Sequence, residues 1–336
     1  MEMKQLWKNW TMGALALIMV LALAACGDNA EPKQTTDPAP TQQEQVTPPA
    51  DETDALKTEY PLTVKDATGE ELTFNEAPKK IISISPSETE ALFAIGLDEE
   101  VIGVSDYDDY PEAATTKPKM GGLYNPNVEE IIAAQPDLVV TGISMSAEGA
   151  QQLRDLGITI FKTDPKKVDD VIANIEIFGQ ITDHQEEAKK VVDKIKQDRD
   201  EVTETLKSLT PEQKKKVYIE FSPGWTVGSG EYMDELINLA GGINVAADTV
   251  GWNEISEEKI IKDNPDVILF SKNVVDEKTK ETLDQMIKAR SGWDQITAIK
   301  NDAVVGLDDN LVSRPGPRVT EGLKQIAKAI YPELFK

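Results

Sequence analysis

The side chains able to do chemistry in this sequence of 336 residues are aromatic, hydroxyl and guanidinium groups set in short polar stretches between apolar ones. Ser85 and Ser87 stand at the end of the apolar run 81–85, Tyr107 and Tyr110 lie in 106–111, and Ser144 follows the run 138–141. Further on, Phe221 and Trp225 stand at the end of 217–221, Trp252 lies in 248–254, and Asn310, Arg314 and Arg318 share 310–318. These types do not assemble the usual hydrolytic or metal machinery. There is one His, His184, and one Cys, Cys26, so a multi-His metal site and a thiolate cluster are both excluded. No Gly-x-Ser-x-Gly elbow and no His-Glu-x-x-His pair occurs. His184, flanked by Asp183 and Gln185, reads as a solvated residue at a helix start. What the set can do is bind: aromatic faces offer apolar area and a few polar anchors orient what is held. Arg314 and Arg318 precede or open a helix, where the dipole disfavours a cation, so each needs a partner. Arg318 is expected to clasp a carboxylate that holds its loop, and Arg314 to offer its donor fork to a ligand amide, carboxylate or phosphate.

Regular elements must bring these stretches together. Residues 62–65 and 71–74 flank Asp66-Ala67-Thr68-Gly69, a hairpin pattern. Short apolar runs at 81–85, 101–104, 138–141 and 159–162 alternate with helical patterns that end near 96, 135, 156 and 181. Ser87, with Glu90 three residues on, reads as a capping box. The alternation resumes with runs at 217–221, 267–271 and 303–307 and helical patterns at 232–239, 256–263, 276–289 and 319–330. Spacing of this kind predicts an α/β fold, parallel sheets flanked by helices, with ligands gathered at the carboxyl ends of the strands.

Between the two series lies 183–209, which holds no Gly and no Pro. Its apolar residues, Ala188, Val191, Val192, Ile195, Val202, Leu206 and Leu209, recur in steps that mark one stripe of a helix. Such a helix is about 40 Å long. Related patterns stand on either side of it. Glu129, Ile131-Ile132 and Pro136-Asp137 precede one β-branched run, and Glu258, Ile260-Ile261 and Pro265-Asp266 precede another at the same offsets. We therefore expect two similar lobes, 59–182 and 210–336, joined by a helical strut at 183–209.

The chain opens with a targeting pattern. Lys4 and Lys8 precede an uncharged stretch, 11–25, rich in Ala, Leu, Ile and Val. It is short for a membrane span and ends in small residues, as a signal peptide does. Leu23-Ala24-Ala25-Cys26 matches a bacterial lipobox, which implies cleavage before Cys26 and a lipid on its sulfur. Residues 26–58, rich in Pro, Thr, Gln, Glu and Asp, bury too little to offset chain entropy and are expected to form a disordered acidic tether. A tether of that length suits a thick cell wall. The formal net charge of −25 makes nucleic acid an unsuitable partner.

With these pieces placed, the chain resembles the substrate-binding lipoproteins of ABC importers, in the group that carries cobalamin, iron–siderophore and haem. The resemblance spans about residues 60–334 and rests on Ile84-Ser85-Pro86-Ser87-Glu88-Thr89-Glu90, Gly103 through Pro111, Pro126-Asn127-Val128-Glu129, Pro136-Asp137, Pro265-Asp266 and Arg314-Pro315-Gly316-Pro317-Arg318. It implies two Rossmann-like lobes bridged by a rigid helix, with a ligand in the cleft and small closure movements. It implies a monomer that docks on an ABC permease dimer with its ATPase, through Glu129 on one lobe and Glu258 on the other. Each Glu also lies two residues beyond a cap, Asn127 or Ser256, where a carboxylate favours the helix dipole by ~0.3–1 kcal/mol. The resemblance puts Tyr107, Phe221 and Trp252 in the cleft, and Asn310 and Arg314 on the loop after the last strand. Two aromatic positions of the enterobacterial cobalamin binder are Leu123 and Gly142 here, with Tyr124 and Trp225 as neighbours able to supply aromatic surface. It implies no resident cofactor and no catalytic residue. The cargo is a corrinoid first, a ferric siderophore second, and haem third, with Tyr107 or Tyr124 as the iron ligand. The resemblance speaks against free zinc or manganese as cargo, because the related receptors for those ions use several His. The resemblance places the protein on the outer face of the cell membrane, on a lipid at Cys26, as on a Gram-positive surface.

Overall fold

The computed structural model describes residues 56–254 and 256–335. The leader, Cys26 and the acidic stretch to residue 55 lie outside the described residues, and with them the expectations of cleavage, lipidation and a tether. The described fold begins slightly earlier than expected. Thr58, assigned above to the tether, donates its N–H to Asp183 Oδ1 at 2.7 Å and its hydroxyl to the Gln180 carbonyl at 2.6 Å.

A hairpin of β1 (Leu62–Lys65) and β2 (Glu71–Phe74) leads into the first lobe. Its parallel sheet holds β3 (Ile81–Ser83), β4 (Val101–Val104), β5 (Leu138–Thr141) and β6 (Ile160–Lys162) in the order β4-β3-β5-β6. Helices α1 (Pro86–Ala94), α2 (Glu112–Thr115), α3 (Val128–Ala134) and α4 (Ala147–Asp155) connect the strands. Then α5 (Val168–Thr182) and α6 (Gln185–Leu206) carry the chain to the second lobe. There β7 (Lys216–Glu220), β9 (Ile243–Asn244), β11 (Val267–Ser271) and β12 (Val304–Leu307) form a second parallel sheet, in the order β12-β11-β7-β9. Counted from the first strand of each lobe, both sheets follow the same order, 2-1-3-4. A short antiparallel ribbon of β8 (Trp225–Val227) and β10 (Trp252–Glu254) is added to the second lobe. The remaining helices are α7 (Tyr232–Leu239), α8 (Glu257–Asp263), α9 (Leu283–Ala289), α10 (Thr297–Lys300), α11 (Asp309–Val312) and α12 (Val319–Ile330).

The repeated Pro-Asp has the same job in both lobes. Helices α3 and α8 start on side-chain caps, Asn127 and Ser256, and end on left-handed residues, Gln135 and Asn264, with φ of 51° and 49°. Asp137 then accepts the N–H groups of Lys79 and Lys80, and Asp266 that of Lys216, each at 2.8 or 2.9 Å. Each carboxylate so ties the start of the lobe's third strand to the start of its first.

The strut is shorter than the 183–209 expected. Asp183 adopts φ 59° and separates α5 from α6, which ends at Leu206. Ala188, Val192, Ile195, Val202 and Leu206 are buried along one stripe. The seven-residue gap in that stripe is filled by Asp198, whose carboxylate accepts from Lys194 at 2.5 Å, Lys324 at 2.6 Å and Thr320 at 3.3 Å. Burial pushes the Asp198 carboxyl up, the two lysines pull it down, and the net direction is down. One apolar core runs through both lobes by way of this helix, from Leu92, Val140 and Ile175 through Ile195 to Ile219, Leu236 and Ile326. A satellite cluster lies in each lobe, around Ile82, Val139 and Ile160 in one and Tyr218, Ile268 and Trp293 in the other.

Two helix starts differ from expectation. Helix α1 begins at Pro86 with Ser85 as its cap and no side-chain capping bond, because Pro is pre-set for the first helical position. Residues 276–282 form a turn, so α9 starts only at Leu283. Asp276 Oδ1 accepts the N–H groups of Lys278 and Thr279 at 2.9 and 2.7 Å, an alternative to helical bonding that favours a turn. Thr282 and Gln285 then form a capping box.

Because α6 belongs to the core of both lobes, Ile195→Ala is expected to destabilise the whole domain by about 2–4 kcal/mol. Urea unfolding followed by circular dichroism and by tryptophan fluorescence should give one transition shifted to lower denaturant. Separate transitions for the two lobes would contradict a shared core.

Candidate functional site

Both sheets present their carboxyl ends to the space between the lobes, where α/β sheets gather ligands. A cavity of about 400 Å³ lies there. The first lobe contributes Tyr124, Ile143, Ser144, Asp164 and Lys166, and the second contributes Phe221, Trp225, Tyr232, Met233, Trp252 and Ser313. The aromatic wall is built on the β8–β10 ribbon, which an assignment of 222–225 and 248–254 to loops does not foresee. Pairing of Trp252 with Val227 and of Glu254 with Trp225 fixes the ribbon. The Trp252 ring meets Phe221 edge-on at 4.9 Å and Tyr232 at 6.1 Å. Trp225 and Trp252 are still more than a third exposed, and Tyr124 is 73 % exposed. These rings give the wall exposed apolar area.

Four of the expected cleft residues, Tyr124, Phe221, Trp225 and Trp252, thus line one cavity, and three others do not line it. Tyr107 stands exposed on the 105–111 loop. Asn310 and Arg314 reach across to the other lobe instead. Asn310 donates to Asp109 Oδ2 at 3.1 Å, and Arg314 Nη1 donates to Asp109 Oδ1 at 2.6 Å and Glu90 Oε1 at 3.1 Å. Arg318 adds a two-bond fork to Glu90, at 2.6 and 2.8 Å, and lies 3.8 Å over the Tyr110 ring. Glu90, expected as a capping partner, is a buried anion held by two arginines of the opposite lobe. Arg318 has the carboxylate its place at a helix start requires. Arg314 has carboxylate partners too, where a ligand group was expected.

A second bridge closes the cavity. Lys166 Nζ donates to both Glu231 oxygens at 3.0 and 3.2 Å and pairs with Asp164 at 3.2 Å. Burial pulls its pKa down, these carboxylates pull it up, and the net direction is up. Sequence reading passed over Lys166, Asp164, Tyr232 and Met233. Tyr232 opens α7, whose helical pattern at 232–239 was a usable signal; the Lys166–Glu231 pair spans two lobes and carried none.

Position 142, just before the cavity residue Ile143, is Gly for a steric reason. A Cβ there would collide with Glu88 Oε2 and come within 2.6 Å of Ser85 Oγ. Glu88 is buried and accepts from Thr163 Oγ1 at 2.5 Å and Ser87 Oγ at 2.8 Å. Burial raises its carboxyl above the ordinary value, against the hydrogen bonds from Ser85, Thr163 and Ser87.

Glu129 and Glu258 are exposed in the first turns of α3 and α8. A helix between parallel strands runs opposite to them, so both stand toward the carboxyl edge of their sheets. Among the described residues neither enters an ion pair. No helix among the described residues is long and apolar enough to cross a membrane.

Comparison with known proteins agrees with this geometry. Residues 81–311 match the family model described as periplasmic binding protein. The chain belongs to the periplasmic binding protein family. This is a family of substrate-binding proteins rather than enzymes. The chain is 35% identical to YvrC, an ABC transporter substrate-binding lipoprotein of Bacillus subtilis, over 96% of this chain and 97% of that one. It is 32% identical to the crystal structure of a possible iron-binding, periplasmic solute-binding protein of Staphylococcus epidermidis, with a TM-score of 0.65 over 76% of this chain and 100% of that one. It is 25% identical to the periplasmic vitamin B12 binding protein of Vibrio cholerae, with a TM-score of 0.66 over 76% and 97%. The expected architecture of two α/β lobes with helix-flanked parallel sheets is that of this family.

The Glu88 carboxyl has a raised folded pKa, so its contribution to stability declines as pH rises from the ordinary value of 4.5 through that higher value. Glu88→Gln keeps the size, and the hydroxyls of Ser87 and Thr163 can turn to accept as well as donate. The variant should melt higher than the parent at pH 7 and no higher at pH 4. Calorimetry at the two pH values checks this.

Proposed function

We propose that this protein is the lipid-anchored binding component of an ABC importer, that it captures cobalamin outside the cytoplasmic membrane, and that it delivers it to the permease. The observation that carries the reading is the cleft: Phe221, Trp225, Tyr232 and Trp252 form an aromatic wall on one lobe, and Tyr124, Ser144 and Lys166 face it from the other. A corrinoid is a large flat ring with polar side arms, and such a wall with a few polar groups suits it. The Vibrio cholerae relative supports that cargo, and YvrC supports the importer and the lipid anchor at Cys26. A ferric chelate is the second reading, favoured by the Staphylococcus epidermidis relative. Tyr107 stays the candidate for a cargo that extends beyond the cavity. Arg314 would meet cargo only on releasing Asp109.

Tryptophan quenching tests the cargo. Cyanocobalamin should quench saturably, and Trp252→Ala should weaken binding at least tenfold in a variant whose circular dichroism matches the parent. Saturable quenching by a ferric hydroxamate or haem, with none by cyanocobalamin, would move the assignment to that chelate.

Glu129 and Glu258 are proposed to meet basic pockets on the two permease subunits. The double variant Glu129→Ala/Glu258→Ala should abolish uptake of labelled cyanocobalamin into cells while its affinity for cyanocobalamin is unchanged. Normal uptake would remove this assignment.

A further inference from the structure

Beneath the aromatic wall lies a buried ion pair that reaches both the cleft and the start of α8. Glu220, at the end of β7, is fully buried. Arg290, just after α9, grips it with two bonds of 2.5 and 2.6 Å, and Tyr218 adds a third through its hydroxyl at 2.9 Å. The guanidinium lies 4.6 Å over the Trp293 ring, which in turn meets Tyr218 edge-on at 5.7 Å. One acceptor direction of Glu220 remains, and it receives the N–H of Gly224 at 2.9 Å. Gly224 has φ +76°, a left-handed conformation that Gly adopts without cost, and the following Trp225 N–H closes the turn on the Ser222 carbonyl at 2.9 Å. The turn that presents Trp225 to the cavity is therefore bonded to a carboxylate whose own position depends on Arg290. The third guanidinium nitrogen, Nε, stands 3.5 Å from Glu257 in the first turn of α8, the residue before Glu258.

We propose that Arg290 is a positioning residue of the cleft: through Glu220 it holds the 222–225 turn so that Trp225 faces the cargo, and through Glu257 it ties that turn to the α8 terminus carrying Glu258. Its role in cargo binding rests on the cleft assignment made above; its role in setting the turn does not. Arg suits the position because its planar fork satisfies both oxygens of one carboxylate while its edge stays free for a second. Lys, with a point charge, keeps the attraction to Glu220 and loses the fork. Asp, Glu or His side chains of the first lobe do not enter this network among the described residues.

The test uses protein labelled with 5-fluorotryptophan, whose signals for Trp225, Trp252 and Trp293 are assigned by single Trp→Phe substitution. In Arg290→Gln the Trp225 fluorine signal should shift or broaden in the empty protein. The Trp252 signal, held by Phe221 and Tyr232, should stay. Arg290→Lys should fall between parent and Gln. Cyanocobalamin affinity should drop at least fivefold in Arg290→Gln and less in Arg290→Lys, in variants whose circular dichroism matches the parent. An unmoved Trp225 signal in folded Arg290→Gln would overturn the proposal. If Arg290→Gln does not fold, Arg290→Lys decides by the same signal. Should the parent protein not bind cyanocobalamin, the cargo assignment fails and the fluorine signals still decide the role of Arg290.

Discussion

A single buried carboxylate sets the spacing of the two lobes. Glu90 lies on the first lobe, and both guanidinium groups that reach it, from Arg314 and Arg318, come from the last loop of the second. A charge at such depth is tolerated only when paired and hydrogen-bonded. Separating the lobes at this edge would strip the carboxylate of its partners and leave it inside the protein. The Lys166–Glu231 pair bounds the cavity from another side, and its lysine is more than a third exposed, so it resists separation far less. The lobes are thus joined by a strong bridge and a weak one. Together with a core that passes from lobe to lobe through α6, this favours a nearly fixed opening over a wide hinge.

Much of this was legible in the chain. Alternating runs and caps marked the strands and helices of both lobes, and the offsets from Glu129 to Pro136-Asp137 and from Glu258 to Pro265-Asp266 exposed the duplication. Those signals are local: an Asn or Ser cap, a left-handed terminator and an Asp that receives strand N–H groups act within one supersecondary unit. The cross-lobe partners were not legible. Glu90 looked like a capping residue because three-residue spacing is all that a sequence displays, whereas its actual partners lie 224 and 228 residues away. Asp198 was likewise invisible as a core residue; only the gap of seven in an apolar stripe hinted that something other than a hydrophobe filled it.

Of the residues expected in the cleft, Tyr124, Phe221, Trp225 and Trp252 line one cavity, while Tyr107, Asn310 and Arg314 lie outside it. Phe221, Trp225 and Trp252 do converge, because they stand at or just beyond a strand end, or on the ribbon folded back against one. Arg314 and Asn310 were expected in the cleft and are engaged across the lobes. Nothing in the types of Asp109 or Glu90 distinguishes them from the many solvated carboxylates of an acidic chain. The reading of Gly142 as a missing aromatic has a steric cause in Glu88, which occupies the volume such a ring would need.

The place where the chain enters the fold has a mechanical consequence. Thr58 is bonded to Gln180 and Asp183, at the junction of α5 and α6, and Gln185 donates back to its hydroxyl at 2.6 Å. Helix α5 starts beside Lys166 at the cavity and runs about 22 Å before reaching that junction. Tension applied to the chain ahead of Thr58 is therefore delivered to the seam of two packed helices, a full helix length from the mouth that receives cargo. A pull at Thr58 and the opening at the cavity load opposite ends of α5, so strain at one is not handed directly to the other.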